Sequence, residues 1–344
     1  MFGRYRSLVR FVLGLLSLLP LAPSHIGSGD SVQPRNTESV IQSVAPTLPD
    51  GVRIDIVGAD TFVRLRTTNH AVDVPGYEGE PYLRFEKNGE VFINETSPTT
   101  ALNDDRFGNV DMSGFVSGAA TKWRRIATNG TAMWHDHRVH WMSPKPPAPI
   151  DDSGTVLTWE VPLEVDNIRT LVTGTLYLRD QASVAWWIFG VLSLLAAVAL
   201  TMTRQRFLHL VLLAISLLGT VVGTMQLLGL PRGARITPLL LLFSAIAAVV
   251  CTVALVTGRR TDAPQYVSFA CQAGVGAALS VCAWLCFDQV RAAYVPGFDS
   301  AWIVRVVIPV MLGMGLVAAI DGVTRVVRET AVLSDGQEVA STGV

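Results

Sequence analysis

Residues 171–202, LVTGTLYLRDQASVAWWIFGVLSLLAAVALTM, decide the fold of this chain. The first part, residues 171–178, alternates its side chains between two faces, which is the pattern of a half-buried β-strand. The second part, residues 184–202, is an unbroken apolar run of the length that an α-helix needs to cross a membrane. A β-strand therefore leads almost directly into a membrane helix. The chain before this junction has the pattern of β-strands, and the chain after it has the pattern of membrane helices.

Short alternating segments continue on the N-terminal side of this junction. They lie at residues 52–56, 62–66, 82–85 and 156–162. Asn88-Gly89 stands between two apolar segments, and because both residues tolerate positive φ angles, the pair is typical of a β-hairpin turn. Residues 97–120 have the composition of a loop, and no amphipathic helix is evident among the strands. We therefore predict an all-β sandwich, Ig-like or cupredoxin-like, at residues 51–180.

Five apolar runs occupy the C-terminal half. They lie at residues 184–202, 207–230, 236–256, 266–287 and 301–323. Residues 184–327 are therefore predicted to form an all-α bundle of five transmembrane helices, with residues 328–344 as a cytoplasmic tail. Gly219 and Gly223 form a small-xxx-small pair that suits close helix packing. All four cysteines fall in this half, so the sandwich must be stabilised by its hydrophobic core rather than by disulfides.

The N-terminus has the features of an export signal. Three arginines precede an apolar run at residues 11–21, which is too short to cross a bilayer. We predict a signal peptide at residues 1–24, and cleavage after Ser24 would make His25 the first residue of the mature protein. A retained membrane anchor is the alternative. Residues 25–50 are rich in small and polar residues and are predicted to be a linker, so the sandwich is expected outside the cell membrane.

The charge balance excludes one class of partner. Charged residues make up 16% of the chain, and the formal net charge is −1. Proteins that bind nucleic acid carry a basic patch, and no basic cluster occurs here. The expected partners are the membrane itself and a possible membrane or envelope protein.

The segment of most chemical interest is residues 134–142, with the sequence WHDHRVHWM. It contains three of the six histidines of the chain, His135, His137 and His140. Neutral imidazole is the commonest ligand of zinc and copper, so three histidines within six residues indicate a metal site. Asp136 is a further candidate, either as a ligand or as an acceptor that orients a histidine. Met133 and Met142 add soft sulfur atoms, which suit Cu(I).

Other interpretations of the same residues remain open. The three histidines converge only if the segment bends, because neither a regular strand nor a helix places all three on one face. In a purely structural alternative, the histidines and tryptophans form a hydrogen-bonded corner in which Asp136 pairs with Arg138. His25 is a candidate further copper ligand, since the α-amine and the imidazole of one residue can chelate together. His70 is the other candidate ligand, and an isolated surface histidine is the favoured interpretation.

Part of the sandwich resembles the CopC-type copper-binding domains. The similar residues are Trp159, Gly174 and the closing strand at residues 175–178, and the resemblance implies an exported Ig-like domain that binds copper. The turn that carries an Asp-Gly-His motif in that family is Asp166-Asn167-Ile168 here, so its copper ligand does not carry over. The whole chain is also similar to a family of actinobacterial membrane proteins with the same Trp-His-Asp-His segment, a likeness that implies no activity.

These features predict a membrane-anchored, extracytoplasmic metal-binding protein that serves metal tolerance or delivery. Copper is the first metal expected and zinc the second. The alternative is an envelope module for protein–protein interaction or assembly, in which Trp134 and Trp141, if exposed, would be contact anchors. A metal-dependent hydrolase is a third hypothesis. No nucleophile motif or phosphate loop supports enzymatic activity.

Overall fold

The computed structural model describes residues 32–114, 118, 120–203, 205–230, 234, 236–257 and 265–342. The predicted signal peptide at residues 1–24 and His25 lie outside the described residues, so both stay predictions.

The N-terminal half is an antiparallel β-sandwich of two sheets, as predicted. Its strands are β1 (Thr37–Ala45), β2 (Val52–Val57), β3 (Phe62–Thr67), β4 (Val72–Pro75), β5 (Pro81–Phe85), β6 (Val91–Asn94), β7 (Trp123–Ala127), β8 (Thr131–Trp134), β9 (Thr155–Val165) and β10 (Ile168–Leu178). One sheet has the order β1-β10-β9-β4-β5-β6-β7, and the other has the order β2-β3-β8. The chain passes from the large sheet to the small one between β7 and β8, immediately before the histidine segment.

The predicted linker at residues 25–50 is wrong at residues 37–45, whereas residues 46–50 lie outside the strands and helices. Thr37–Ala45 is a full strand that pairs with β10 at the edge of the large sheet. Its sequence, TESVIQSVA, alternates only weakly, and the hydrogen-bonding partner that makes it a strand lies more than 120 residues further along the chain.

The predicted loop at residues 97–120 also contains a short helix, α1 (Pro98–Leu102), which begins at a proline where its missing N–H is not needed.

The core of the sandwich consists of the apolar faces of the two sheets. Its largest fully buried side chains are Leu65, Tyr82, Leu83, Phe85 and Leu176. Trp159 of β9 lies opposite Gly174 of β10, and a Cβ atom at residue 174 would come within 2.2 Å of the indole. The tryptophan thus packs over a position where only glycine fits, which gives a physical reason for the Trp-Gly pair.

The C-terminal half contains the five apolar helices that the sequence predicted. After a 3₁₀ turn (Val184–Trp187), the helices are α2 (Ile188–Thr203), α3 (Gln205–Leu228), α4 (Leu239–Thr257), α5 (Gln265–Leu285), the short α6 (Asp288–Arg291) and α7 (Trp302–Thr342). The segments long and apolar enough to cross a membrane are Val184–Thr203, Phe207–Leu228, Leu239–Val256, Gln265–Leu285 and Trp302–Val332. This composition is that of a multi-pass membrane protein.

Glycine allows the membrane helices to approach closely. A Cβ atom at Gly223 of α3 would lie 2.4 Å from the backbone nitrogen of Leu241 in α4, and one at Gly219 would lie 2.4 Å from the Ser244 hydroxyl. The packing role predicted for the Gly219–Gly223 pair is therefore confirmed. Gly276 of α5 meets the backbone of α7 in the same way.

One end of the sandwich contacts the loops between membrane helices. The backbones of Arg35 and Tyr294 exchange two hydrogen bonds, of 3.1 and 2.9 Å. Val32 and Phe62 form a small apolar cluster that packs against Leu230 and Tyr294. The membrane-proximal end of the sandwich is thus the end that carries Phe62, which is also a neighbour of the histidine segment.

Candidate functional site

The histidine segment leaves strand β8 at Trp134 and turns at once. The N–H of Val139 donates to the carbonyl of Asp136 at 3.0 Å, which closes the turn. The bend brings the histidine rings together: the ring centroids of His137 and His140 are 5.2 Å apart, and those of His135 and His140 are 6.1 Å apart. The segment therefore has the bend that convergence of the three histidines requires.

Asp136 forms a charged corner at the centre of the turn. Its carboxylate is fully buried and accepts a bidentate pair of hydrogen bonds from the guanidinium of Arg138, at 2.8 and 2.6 Å. It also accepts the indole N–H of Trp134 at 3.0 Å. The pairing of the structural alternative is thus present, and it leaves Asp136 poorly suited to bind a metal ion directly.

His137 is half-buried and held from two sides. Its Nε2–H donates to the carbonyl of Asp105 at 2.9 Å, and its ring stacks on Tyr77 with centroids 5.9 Å apart. Its backbone N–H donates to the Tyr77 hydroxyl at 2.8 Å. Burial lowers the pKa of His137 below its ordinary value, so the imidazole is neutral at physiological pH. Since Nε2 carries the proton, Nδ1 has the free lone pair.

His140 is the innermost of the three histidines, with 1% of its surface exposed. Its Nδ1–H donates to the carbonyl of Trp141 at 3.1 Å, which leaves the lone pair on Nε2. This Nε2 is buried and has no hydrogen-bond partner among the residues that the structure describes. Burial, and secondarily the charge of Arg106, lowers the pKa of His140 to about 2. The ring is therefore neutral over the whole physiological range.

His135 connects the cluster to the surface. Its ring packs on Phe62 with centroids 4.6 Å apart and borders a cavity of about 510 Å³ between strands β7 and β8. Tyr82 and Asn103, which hydrogen-bond to each other at 3.0 Å, line the same cavity. Of the three histidines in the segment, His135 is the one that lines this cavity.

The donor atoms are not assembled as a finished metal site. Among the described residues, no group of three or more His, Cys, Asp or Glu side chains is arranged to hold an ion. Met142 is close to the cluster, because a Cβ atom at Gly108 would lie 3.3 Å from His137 Cε1 and 3.5 Å from the Met142 methyl. The structure thus brings two neutral imidazoles and a nearby thioether together, with a third imidazole at the cavity wall.

His70 does not belong to this cluster, and it is not the isolated surface residue that was predicted. Its Nδ1 lies 2.6 Å from Asp166 Oδ2, and its Nε2 lies 3.0 Å from the carbonyl oxygen of Asp50. Asp166 is in the β9–β10 turn, the turn that we compared with the Asp-Gly-His turn of CopC-type domains. Here the histidine beside that turn comes from a distant segment and serves to attach it.

Several partners of the site were missed in the sequence because nothing marks them locally. Tyr77, Asn103 and Asp105 lie 30 or more residues before the histidines, in a turn and a loop of ordinary composition. Only the folded chain brings them to the cluster.

No family model, curated protein or solved structure that we compared with this chain matches it.

Proposed function

We propose that this chain is a membrane-anchored, extracytoplasmic metal-binding protein that serves metal tolerance or delivery, with copper as the first metal and zinc as the second. The observation that carries the proposal is the state of two adjacent imidazoles. His137 and His140 each donate one ring N–H to a backbone carbonyl and keep the other ring nitrogen as an acceptor. These two nitrogens, Nδ1 of His137 and Nε2 of His140, are the proposed ligands.

This arrangement matches the needs of a metal-bound histidine. A ligating imidazole must be neutral, and it generally donates its second N–H to a carbonyl or carboxylate, which fixes its tautomer. Both conditions are met at His137 and His140. A buried acceptor that lacks a hydrogen bond costs about 1–3 kcal/mol, and coordination by an ion would remove this cost at Nε2 of His140.

The surrounding donors favour copper over zinc. Imidazole nitrogen suits both metals, whereas a thioether selects Cu(I). The side chains of Met142 and His137 both border the space beside Gly108. His135 borders the cavity by which we propose that an ion arrives. We propose that one or both complete the coordination after a small rotation of their side chains.

The location and orientation of the domain are part of the proposal. The apolar run and the arginines before residue 25 support export of the sandwich, and the five apolar helices support retention in the membrane. A membrane or envelope protein that supplies or receives the ion is the expected partner. His25 is retained as a possible additional ligand, since its position depends on residues outside the described range.

The test is a titration of the full chain, purified in detergent, with Cu(I), Cu(II) and Zn(II) in turn. We expect about one ion per chain, with an affinity at least about tenfold weaker in His140→Gln, the size of effect typical of changes around a metal site. His70→Gln is the matched control, because His70 is hydrogen-bonded far along the chain from the cluster. Equal binding in wild type and His140→Gln, or no binding by a folded chain, would exclude the proposal.

The interaction-module alternative has less support at this segment. Trp134 is 5% exposed, and its indole N–H is used by Asp136. Trp141 is partly buried and donates its indole N–H to the carbonyl of Lys145 at 2.6 Å. The two tryptophans are therefore packing groups of the corner and are poor candidates for contact anchors. If no metal is bound, the histidines are packing groups as well.

A further inference from the structure

A second, smaller cavity lies beside the histidine cluster and is strongly cationic. Its volume is about 220 Å³, and the residues that line it include Arg35, Arg106 and Lys145 together with Thr37 and Ser143. No carboxylate is among the described residues that line it. Three positive groups around so small a space indicate a site for a negative ligand.

Among the residues that the structure describes, the carboxylate that pairs with both arginines is that of Asp60, which is fully buried. Arg106 Nη2 donates to Asp60 Oδ2 at 2.9 Å, and Arg35 Nε lies 3.4 Å from Asp60 Oδ1. Thr37 adds a third contact by donating its hydroxyl to Oδ2 at 2.7 Å. One carboxylate thus faces two guanidinium groups, and one positive charge is left without a counter-charge in this group.

The arginines also have donor atoms that remain unused. Nη1 of Arg106 is buried and has no hydrogen-bond partner among the residues that the structure describes. Nε of Arg35 has only the 3.4 Å ion pair with Asp60 Oδ1, which lacks hydrogen-bond geometry. Burial, and secondarily the charge of Arg106, lowers the pKa of Arg35 to about 10, so the group is still charged at neutral pH. A buried, charged donor without a partner is costly, and an anion in the cavity would remove that cost.

We propose that this cavity binds the phosphate group of a ligand, held by Arg35, Arg106 and Lys145. Guanidinium groups bind phosphate oxygens through pairs of parallel hydrogen bonds, and lysine adds a point charge at the rim. This site is separate from the proposed metal site and goes beyond the metal-binding function.

Two sources of phosphate fit the position of the cavity. One is inorganic phosphate or a small phosphate ester from solution. The other is a lipid headgroup, because the Arg35 backbone pairs with Tyr294 in the loop before α7. A larger cavity of about 520 Å³ shares Arg35 and Thr37 with this one and extends to Arg305 in the first turn of α7. The acidic residues Glu38, Asp180 and Asp299 also line this larger cavity, so among the described residues only the smaller of the two is lined by cationic residues without carboxylates. Both sources offer the same chemical group to the same arginines.

The experiment uses the full chain in a maltoside detergent, which contains no phosphate. In the first arm, inorganic phosphate is titrated against sodium chloride of equal ionic strength, and the unfolding temperature is followed. In the second arm, phosphatidic acid is compared with diacylglycerol, which lacks only the phosphate. A rise in unfolding temperature in the first arm identifies a soluble ligand, and a rise in the second arm alone identifies a headgroup.

Variants separate this site from general ionic effects. Arg106→Gln should weaken phosphate binding at least about tenfold, because it removes charged hydrogen bonds. Lys145→Gln, at the exposed rim, should weaken it about two- to fivefold and should not disturb the fold. Lys122→Gln is the control, since Lys122 is also exposed but pairs with Glu95, and it does not line the cavity.

Phosphate stabilisation that falls in Arg106→Gln and Lys145→Gln but not in Lys122→Gln supports the site. If Arg106→Gln does not fold, the comparison of Lys145→Gln with Lys122→Gln decides the matter. No stabilisation in either arm, or equal stabilisation in all variants, overturns the proposal.

Discussion

Asp136 is the residue on which the histidine turn depends. Its carboxylate is buried and accepts hydrogen bonds from Arg138 and Trp134, so the turn is held by charge-assisted bonds at its centre. The sequence offered this aspartate as a metal ligand or as an acceptor that orients a histidine, and the contacts of its carboxylate with Arg138 and Trp134 stabilise the turn that carries the histidines.

Asp136→Asn should destabilise the chain strongly. The change leaves the mostly buried Arg138 without its counter-charge, and breaking a buried pair in this way costs about 3–5 kcal/mol. Thermal unfolding of the detergent-solubilised chain measures the effect. Asp73→Asn is the control, since the exposed pair of Asp73 with Arg84 should contribute less than about 1 kcal/mol. Similar losses in the two variants would contradict this account.

Asp166 gives a prediction about acid stability. Its hydrogen bond with His70 is the main cause that lowers its pKa to about 2, followed by the Ala71 N–H and Lys87. An unfolded aspartate has a pKa of about 3.9, so the folded chain binds this proton less readily. The stabilisation is present above the unfolded pKa and is lost as the pH falls from about 4 through about 2.

Asp166→Asn should therefore lower the unfolding temperature at neutral pH and lose less stability than wild type between about pH 4 and pH 2. Unfolding temperatures of both proteins, measured across this range, provide the check. Parallel pH profiles for the two proteins would show that the contact with His70 has no energetic role.

At the scale of the elements, the close approach of α3 and α4 depends on glycine. Gly223→Ala should place a methyl group 2.4 Å from the backbone of Leu241, and the helices can avoid the clash only by moving apart. Overpacking of this kind costs about 1–3 kcal/mol. Gly114→Ala is the same change in open space and should have little effect. The measurement is again thermal unfolding, and unchanged stability of Gly223→Ala would disprove the close contact.

Strand prediction succeeded where the segment itself alternates between apolar and polar residues. It failed where pairing with a distant strand, rather than a local pattern, makes the segment a strand. Strands β2, β3, β5, β9 and β10 have recognisable alternation, because one of their faces is buried and the other is not. By contrast, β1 lies at a sheet edge with a weak pattern, and β4 and β8 have only four residues each. Short and edge strands depend on pairing with distant residues, which no local pattern reports.

At the scale of the whole molecule, the sandwich and the membrane helices meet around Phe62. This side chain belongs to the apolar cluster that packs against Tyr294, and its ring centroid lies 4.6 Å from that of His135. The proposed metal ligands and the proposed phosphate cavity therefore both lie near the membrane-proximal end of the sandwich. For a protein that exchanges an ion with a membrane partner, this is the end from which transfer is shortest.

The sequence alone determined the two architectures and their order along the chain. Alternation of period two and apolar runs of about 20 residues reflect which solvent each segment faces, and this information is local. It also singled out His135, His137 and His140, because their density is visible in the linear chain. Only the tertiary structure decided what these residues do. Asp136 is paired with Arg138, and the carbonyls of Asp105 and Trp141 set the tautomers of His137 and His140. Arg35 and Arg106 both pair with the carboxylate of Asp60. The contacts of His137 with Asp105 and of Asp60 with the two arginines join segments that are remote in sequence, so they exist only once the chain has folded. The contacts of Asp136 with Arg138 and of His140 with Trp141 are local, but they depend on the directions that the bend of the turn gives to the side chains.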